Sequence, residues 1–213
     1  MTAQLWCFGE SGNAYKAALT LELTGYDWKP VFVDFFRGET RDPAFLTLNE
    51  MGEVPVFQEG GMTLTQSAVI QLHIAEKTGT WLDGHRAEIM RWLFWDNHRL
   101  SGQAGPTRFL MNFLPPDKRP TEAIAFQQKR LRAAYKTLNE HLTGRDWIVG
   151  LNPTIADLSC CGYLYYPEPF GFQRAEWPNI DRWLDAIAAL PGWKHPYDLM
   201  PGNPSDRVPK EET

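Results

Sequence analysis

Within Gly52-Glu53-Val54-Pro55-Val56-Phe57 and Leu64-Thr65-Gln66-Ser67-Ala68-Val69-Ile70, two pairs of residues have types and a spacing that could do chemistry: Val54-Pro55 and Gln66-Ser67. Proline has no amide hydrogen and a fixed φ, and it pushes the residue before it toward extended geometry. Leading into an apolar strand, Val54-Pro55 is therefore an edge position, a bulge or a cis bond. Each of these leaves the backbone of Val54 free to pair with an extended ligand. A Glu59-Gly60-Gly61 turn follows, then a second strand, then a helix opening at Gln66-Ser67. The unpaired amides and positive dipole end of that helix suit an anionic group. An extended backbone beside an anion site describes a pocket for a small acidic peptide.

This combination resembles the glutathione transferase superfamily, whose amino-terminal domain carries a cis Val-Pro pair, a short hairpin, and Glu-Ser or Gln-Ser opening a helix; here these are Val54-Pro55, Gly60-Gly61 and Gln66-Ser67. The resemblance implies glutathione as co-substrate, a small electrophile as second substrate, no metal or prosthetic group, and a homodimer. It implies that Val54, with Glu53 and Pro55 beside it, pairs with the glutathione backbone. Gln66 and Ser67 would hold the γ-glutamyl end, and Arg41 would meet the glycyl carboxylate. Many members carry an acid where this chain has Gln66, and the neutral amide weakens a charge contact to the γ-glutamyl amine. Glu50 also departs from the pattern, standing where the family often has Asn-Pro.

The run Ser11-Gly12-Asn13-Ala14-Tyr15-Lys16 is similar to that of bacterial-type members. By that resemblance Ser11 is the catalytic residue. A hydroxyl at a helix amino terminus donates a hydrogen bond to a bound thiolate and, with the dipole, lowers the thiol pKa from about 8.5 toward neutrality. The competing reading is that Ser11 is simply an N-cap. Asn13 is the second candidate, as an amide donor to the same sulfur or as the partner orienting Ser11, whereas Tyr15 lies inside the helix and reads as packing. Arg108, Phe109 and Tyr163 are expected to line a second, apolar subsite. Alternative functions are a glutathione-dependent disulfide or peroxide reductase, an isomerase or dehalogenase, and a non-catalytic glutathione-fold binding module.

These residues need a scaffold. Leu5-Trp6-Cys7-Phe8 reads as a buried strand, 14–24 as an amphipathic helix stopping at Gly25, and Val31-Phe32-Val33-Asp34-Phe35 as the next strand. Pro43-Ala44-Phe45-Leu46 suggests a short helix with proline in its first turn. With Val56-Phe57, Met62-Thr63-Leu64 and a helix over 66–77, the order is βαβ then ββα, similar to the thioredoxin-like fold. The expected architecture is an α/β thioredoxin-like domain over 1–80, an all-α helical domain over 85–200, and a loosely ordered tail over 201–213. In the second domain the periodicity predicts helices over 87–100, 121–142, 154–165 and 177–190, with Gly102, Gly105 and Pro106 as interruptions. The helix around Trp92-Leu93-Phe94-Trp95 is apolar enough to be buried on more than one side. Thr154-x-x-Asp157 reads as a capping box with a folding role.

The formal net charge of −5, from 21 basic and 26 acidic residues, lacks the basic excess of a nucleic-acid footprint. Nine Trp within 13% aromatics must be largely core or interface. Three cysteines without Cys-x-x-Cys make no disulfide framework and fit a reducing compartment. His73, His98 and His141 have no second ligand at helical spacing, so no metal site is expected. The start lacks a signal-peptide pattern and no apolar run reaches membrane length, so a cytoplasmic protein without membrane contact is expected.

Overall fold

The amino-terminal apolar run becomes β1 (Ala3–Cys7), with Ala3, Leu5 and Cys7 buried and the residues between them half-buried. The computed structural model describes residues 2–202; the expected tail, from Asn203 onward, lies outside the described residues. After β1 come α1 (Gly12–Leu23), β2 (Trp28–Phe32), α2 (Pro43–Leu48), β3 (Val56–Glu59), β4 (Met62–Thr65) and α3 (Ser67–Thr78). The sheet runs β2-β1-β3-β4, with β1 parallel to β2 and antiparallel to β3, and β3 antiparallel to β4. Side-chain alternation sorts the two faces. Leu5, Cys7 and Phe57 join the main core with α1 and α3, while Trp6 and Val56 meet Phe45 of α2 on the other side.

The second strand differs from expectation: it ends at Phe32 rather than reaching Phe35. Parallel pairing sets Trp28–Phe32 against Ala3–Cys7, and the Asp34 carboxylate then accepts a bond from the Arg37 amide to start a 3-10 turn over Phe35–Arg37. Pro30 falls within β2, an edge strand, where a missing ladder donor is tolerated.

The rest is helical: α4 (Arg86–Trp95), α5 (Ser101–Asn112), α6 (Thr121–His141), α7 (Ile155–Cys160), α8 (Pro178–Ala188) and α9 (Pro196–Leu199). A π-helical turn over Asp96–Leu100 joins α4 to α5, so helix continues through Gly102, Gly105 and Pro106 to Asn112 instead of breaking there. Packing decides this over propensity. A Cβ at Gly102 would lie 2.4 Å from the Asn97 carbonyl oxygen, and one at Gly105 would lie 2.8 Å from the Tyr163 hydroxyl. α7 stops at Cys160, short of the expected end at 165, and α9 was not foreseen in the sequence. In α4, Ile89, Trp92 and Leu93 are buried but Phe94 is 67% exposed, so the helix is not enclosed on every side.

Asp157 closes the helical core as a capping box. Its Oδ2 accepts from the Thr154 amide (2.8 Å), and its Oδ1 accepts from the Ile148 amide (2.9 Å) and from the indole of fully buried Trp183 (2.9 Å). Burial pushes this carboxyl up from its ordinary 3.8 to about 6, against the pull of those donors. Among the described residues no helix is long and apolar enough to cross a membrane.

Candidate functional site

The Val54-Pro55 peptide is cis and lies where the loop after α2 turns into β3. Asn49, only 1% exposed, shapes that loop: its amide donates to the Glu53 carbonyl (2.8 Å), and its Oδ1 accepts from the Met51 amide (3.2 Å). Gly52 follows at φ +64 with Arg41 against it; a Cβ there would lie 2.9 Å from both Arg41 Nη1 and the Thr40 carbonyl oxygen. Among the described residues, nothing hydrogen-bonds to the amide or carbonyl of Val54. That edge is open to a strand-like ligand.

Facing it is the start of α3. Gln66 occupies the N-cap position at φ 68, ψ 117, and no side chain caps the helix. A non-glycine residue held in this region stores about 1–3 kcal/mol of strain, which tertiary structure must offset. The conformation leaves the first amides of α3 uncapped while the Gln66 side chain reaches back to Met51 Sδ (3.2 Å) and Glu53 Oε2 (3.4 Å).

Ser11 is the N-cap of α1, its Oγ accepting from the Ala14 amide at 3.2 Å. The capping reading of this residue is thus observed, and it does not compete with the chemical one. A hydroxyl that accepts from an amide through a lone pair keeps its proton to donate elsewhere. Asn13 sits on the first turn of α1, with its Oδ1 buried and without a partner among the described residues. One turn on, Lys16 is fully buried, its Nζ 2.5 Å from Oδ2 of equally buried Asp96 in the π turn. Asp96 also accepts from the Ser101 hydroxyl (2.6 Å) and the Ser159 hydroxyl (2.6 Å), so this pair is paired and hydrogen-bonded on all sides.

Two adjoining cavities result. The smaller, of about 150 Å³, is polar and brings together Asn13, Glu53, Val54, Pro55, Gln66 and Ser67 with Asn97 and Ser101 from the π turn and α5. The larger, of about 520 Å³, takes in Ser11, Arg41, Arg108, Phe109 and Tyr163. Asn13, Glu53, Val54, Ser101 and Gly102 line both, so the two form one bipartite cleft between the sheet side and the helices. Every candidate catalytic, glutathione-binding or second-subsite residue therefore borders this cleft, but not all present a free group. Arg108 is 2% exposed, and its guanidinium is taken up by Glu168, Tyr197 and the Glu10 carbonyl. Tyr163 is 7% exposed, wedged against Gly12 and Gly105, and burial pushes its hydroxyl up to about 12, so it remains a donor at neutral pH.

Sequence reasoning missed Asn49, Asn97 and Ser101, and with them the aromatic wall of the larger cavity. Phe8 stacks on Phe35 at 4.9 Å, Phe36 meets Phe113 at 5.0 Å, and Phe35 meets Phe109 at 6.4 Å. In the sequence Phe35 reads as a strand end, and Phe36 beside it carries no signal of its own. Cys7, Cys160 and Cys161 are all buried, and burial raises all three thiols, Cys7 to about 12. None of them lines the cleft, so thiol chemistry there must come from a ligand. Among the described residues there is no group of three metal-ligating side chains.

Residues 1–76 match the family model described as glutathione S-transferase, N-terminal domain, and residues 107–191 match glutathione S-transferase, C-terminal domain. A solved glutathione S-transferase from Xanthobacter autotrophicus is 35% identical, with a TM-score of 0.84 over 94% of this chain and 97% of that one. The disulfide-bond oxidoreductase YfcG of Escherichia coli is 29% identical over 86% of this chain and 89% of its own length. The glutathione S-transferase GstB of Escherichia coli is 27% identical over 88% of this chain and 93% of its own length.

Proposed function

We propose, from the premise that this chain belongs to the glutathione S-transferase family, that it binds glutathione in the polar half of the cleft and transfers it to an electrophile held in the aromatic half. The observation that carries this reading is the unpaired backbone of Val54 beside the uncapped start of α3, the two features an extended acidic peptide needs. Val54 would pair with the cysteinyl backbone, with Glu53 and Pro55 shaping its edge. Gln66 and Ser67 would hold the γ-glutamyl end, and exposed Arg41 the glycyl carboxylate. The sulfur would then reach Ser11, whose hydroxyl donates a hydrogen bond to the thiolate while its oxygen still caps α1. Asn13 would offer its amide to the same ligand. Phe109 and Tyr163, with the phenylalanines opposite them, would seat an apolar second substrate.

Catalysis on this reading is thiol activation plus proximity, with no protein nucleophile and no metal or prosthetic group. The working unit is taken to be a cytoplasmic homodimer, exposed Phe94 and Phe126 being the apolar surface a second copy could cover. The division into a thioredoxin-like domain over 1–80 and a helical domain over 85–200 belongs to the same proposal. A second reading, glutathione-dependent disulfide reduction, is favoured by the likeness to YfcG and is compatible with a cleft lacking a thiol of its own.

Calorimetric titration with glutathione in two buffers of different ionisation enthalpy tests the core of the proposal. Binding with proton release near neutral pH is expected. Binding without release would remove the thiolate from the mechanism, and no binding would remove the glutathione site. Turnover with a chlorodinitroarene against turnover with a mixed disulfide of glutathione then separates the two readings.

A further inference from the structure

The turn that carries Ser11, Phe8-Gly9-Glu10-Ser11, is held at Gly9 and Glu10 by residues distant in sequence. The Gly9 amide donates to the Pro201 carbonyl (2.6 Å). The Gly9 carbonyl accepts from the Tyr166 hydroxyl (2.7 Å), and the Glu10 carbonyl accepts from Nη1 of Arg108 (2.6 Å). Locally, the Ser11 amide donates to the Phe8 carbonyl (3.1 Å), and Ser11 caps α1 through Oγ and its own carbonyl. Helix α5, the segment after α7 and the chain beyond α9 therefore converge on one short connection between β1 and α1.

Arg108 is the hub of this arrangement. Its Nε (3.1 Å) and Nη2 (2.6 Å) donate to Glu168 Oε2, and Nη2 also donates to the Tyr197 hydroxyl (2.6 Å). The Tyr197 hydroxyl donates in turn to Glu168 Oε1 (2.5 Å), and the guanidinium lies 3.9 Å from the centre of the Tyr166 ring. The charge is neutralised inside the protein and four of the five guanidinium donors are engaged by these partners, as suits arginine rather than lysine. Such a group is poorly placed to receive an anionic second substrate. It is well placed to fix backbone.

We propose that Arg108 is a positioning residue: with Glu168, Tyr197 and Tyr166 it sets the Phe8–Ser11 turn so that the Ser11 hydroxyl is aimed at a thiolate in the cleft. The inference rests on the glutathione reading above. Its physical basis is that a hydrogen bond to a charged acceptor weakens steeply as its angle degrades, so a donor on a connection containing glycine needs outside restraint. The C-terminal segment, which contacts the cavity at no described residue, then contributes to thiol activation through Tyr197 and Pro201.

The test uses the full chain and the variants Tyr166→Phe and Arg108→Lys, each also made in a Ser11→Ala background. Tyr166→Phe keeps the ring under the guanidinium and removes only the bond to the Gly9 carbonyl, so it remains informative should Arg108→Lys fail to fold. The pKa of glutathione bound to each protein is read from thiolate absorbance against pH. The expected result is a rise of about 0.5–1 unit in the single variants, a loss of roughly three- to tenfold in thiolate below that pKa, with little change in glutathione KM. In the Ser11→Ala background the same substitutions should add almost nothing, because their effect passes through Ser11. Folded single variants with an unshifted pKa, or shifts of equal size with and without Ser11, would overturn the proposal. If the unaltered protein binds glutathione without ionising it, the functional reading itself is overturned, and the parent control reveals this before any variant is compared.

Discussion

Replacing Ser11 removes two interactions whose consequences can be read separately. The first is the cap: Ser11 Oγ accepts from the Ala14 amide at 3.2 Å, and losing it to alanine costs about 1 kcal/mol, whereas glycine at an N-cap costs only a few tenths. For a chain of this size 1 kcal/mol corresponds to about 2–4 °C in Tm. The second is the proposed bond to the thiolate, worth about 1.5–3 kcal/mol because the acceptor is charged, or about 1–2 pKa units of the bound thiol. A more basic thiolate is also a better nucleophile, with a Brønsted coefficient of about 0.4–0.5, so roughly half of the loss in population is recovered in reactivity. The net expectation below the thiol pKa is a fall in kcat/KM of about three- to fifteenfold. Above both pKa values the variant should equal or exceed the parent. Ser11→Gly is the decisive variant, since it keeps most of the capping stability and loses the donor. The assay is kcat/KM for a chlorodinitroarene from pH 5.5 to 9.5, beside a melting curve. Ser11→Gly with a parental pH profile would refute the reasoning and leave Ser11 as a cap alone.

Gln66→Gly relieves the positive φ at the start of α3 and should stabilise the fold by about 1 kcal/mol while raising glutathione KM; urea unfolding beside saturation kinetics would show the trade. Gly12→Ala would set a Cβ 2.6 Å from the Tyr163 ring, so it should cost about 1–3 kcal/mol through overpacking, seen as a lower urea midpoint with unchanged slope. Asp157 supplies a pH dependence. Because its folded pKa of about 6 stands above the ordinary 3.8, its contribution is fully present below the lower value and is lost as pH rises through the higher one. The stability of the parent relative to Asp157→Asn should therefore shrink by about 3 kcal/mol between pH 3.5 and 7, and a constant difference across that range would contradict the assigned shift.

The elements that carry the site were legible where local chemistry and tertiary structure agree. Val54-Pro55 announced a special peptide bond, Gln66-Ser67 announced a helix start, and Thr154-x-x-Asp157 announced its own cap. Legibility failed where a distant partner decides. The β2 boundary depends on register against β1, which no property of Val33-Asp34-Phe35 reveals. Helix through Gly102, Gly105 and Pro106 follows from the π turn and from Tyr163 filling the space that side chains would need. Arg108 borders the cleft, but the sequence does not show that Glu168 lies 2.6 Å from its guanidinium and takes up its charge. The aromatic wall escaped notice for the same reason, its members coming from the residue after β1 (Phe8), the turn after β2 (Phe35, Phe36), α5 (Phe109) and the C-cap of α5 (Phe113).

The buried pair of Lys16 and Asp96 bears on how freely the two halves of this chain can be exchanged. Lys16 belongs to α1 on the sheet side, Asp96 to the turn between two helices, and each has a side chain that is 0% exposed. A chimera that joined residues 1–80 of this chain to the helices of a relative lacking an acid at the matching place would enclose a lone ammonium, at a cost of about 3–5 kcal/mol. The reciprocal chimera would enclose a lone carboxylate. Recombination between relatives is therefore permitted only where both members of the pair travel together or are both replaced, so the seam between the halves acts as a compatibility lock.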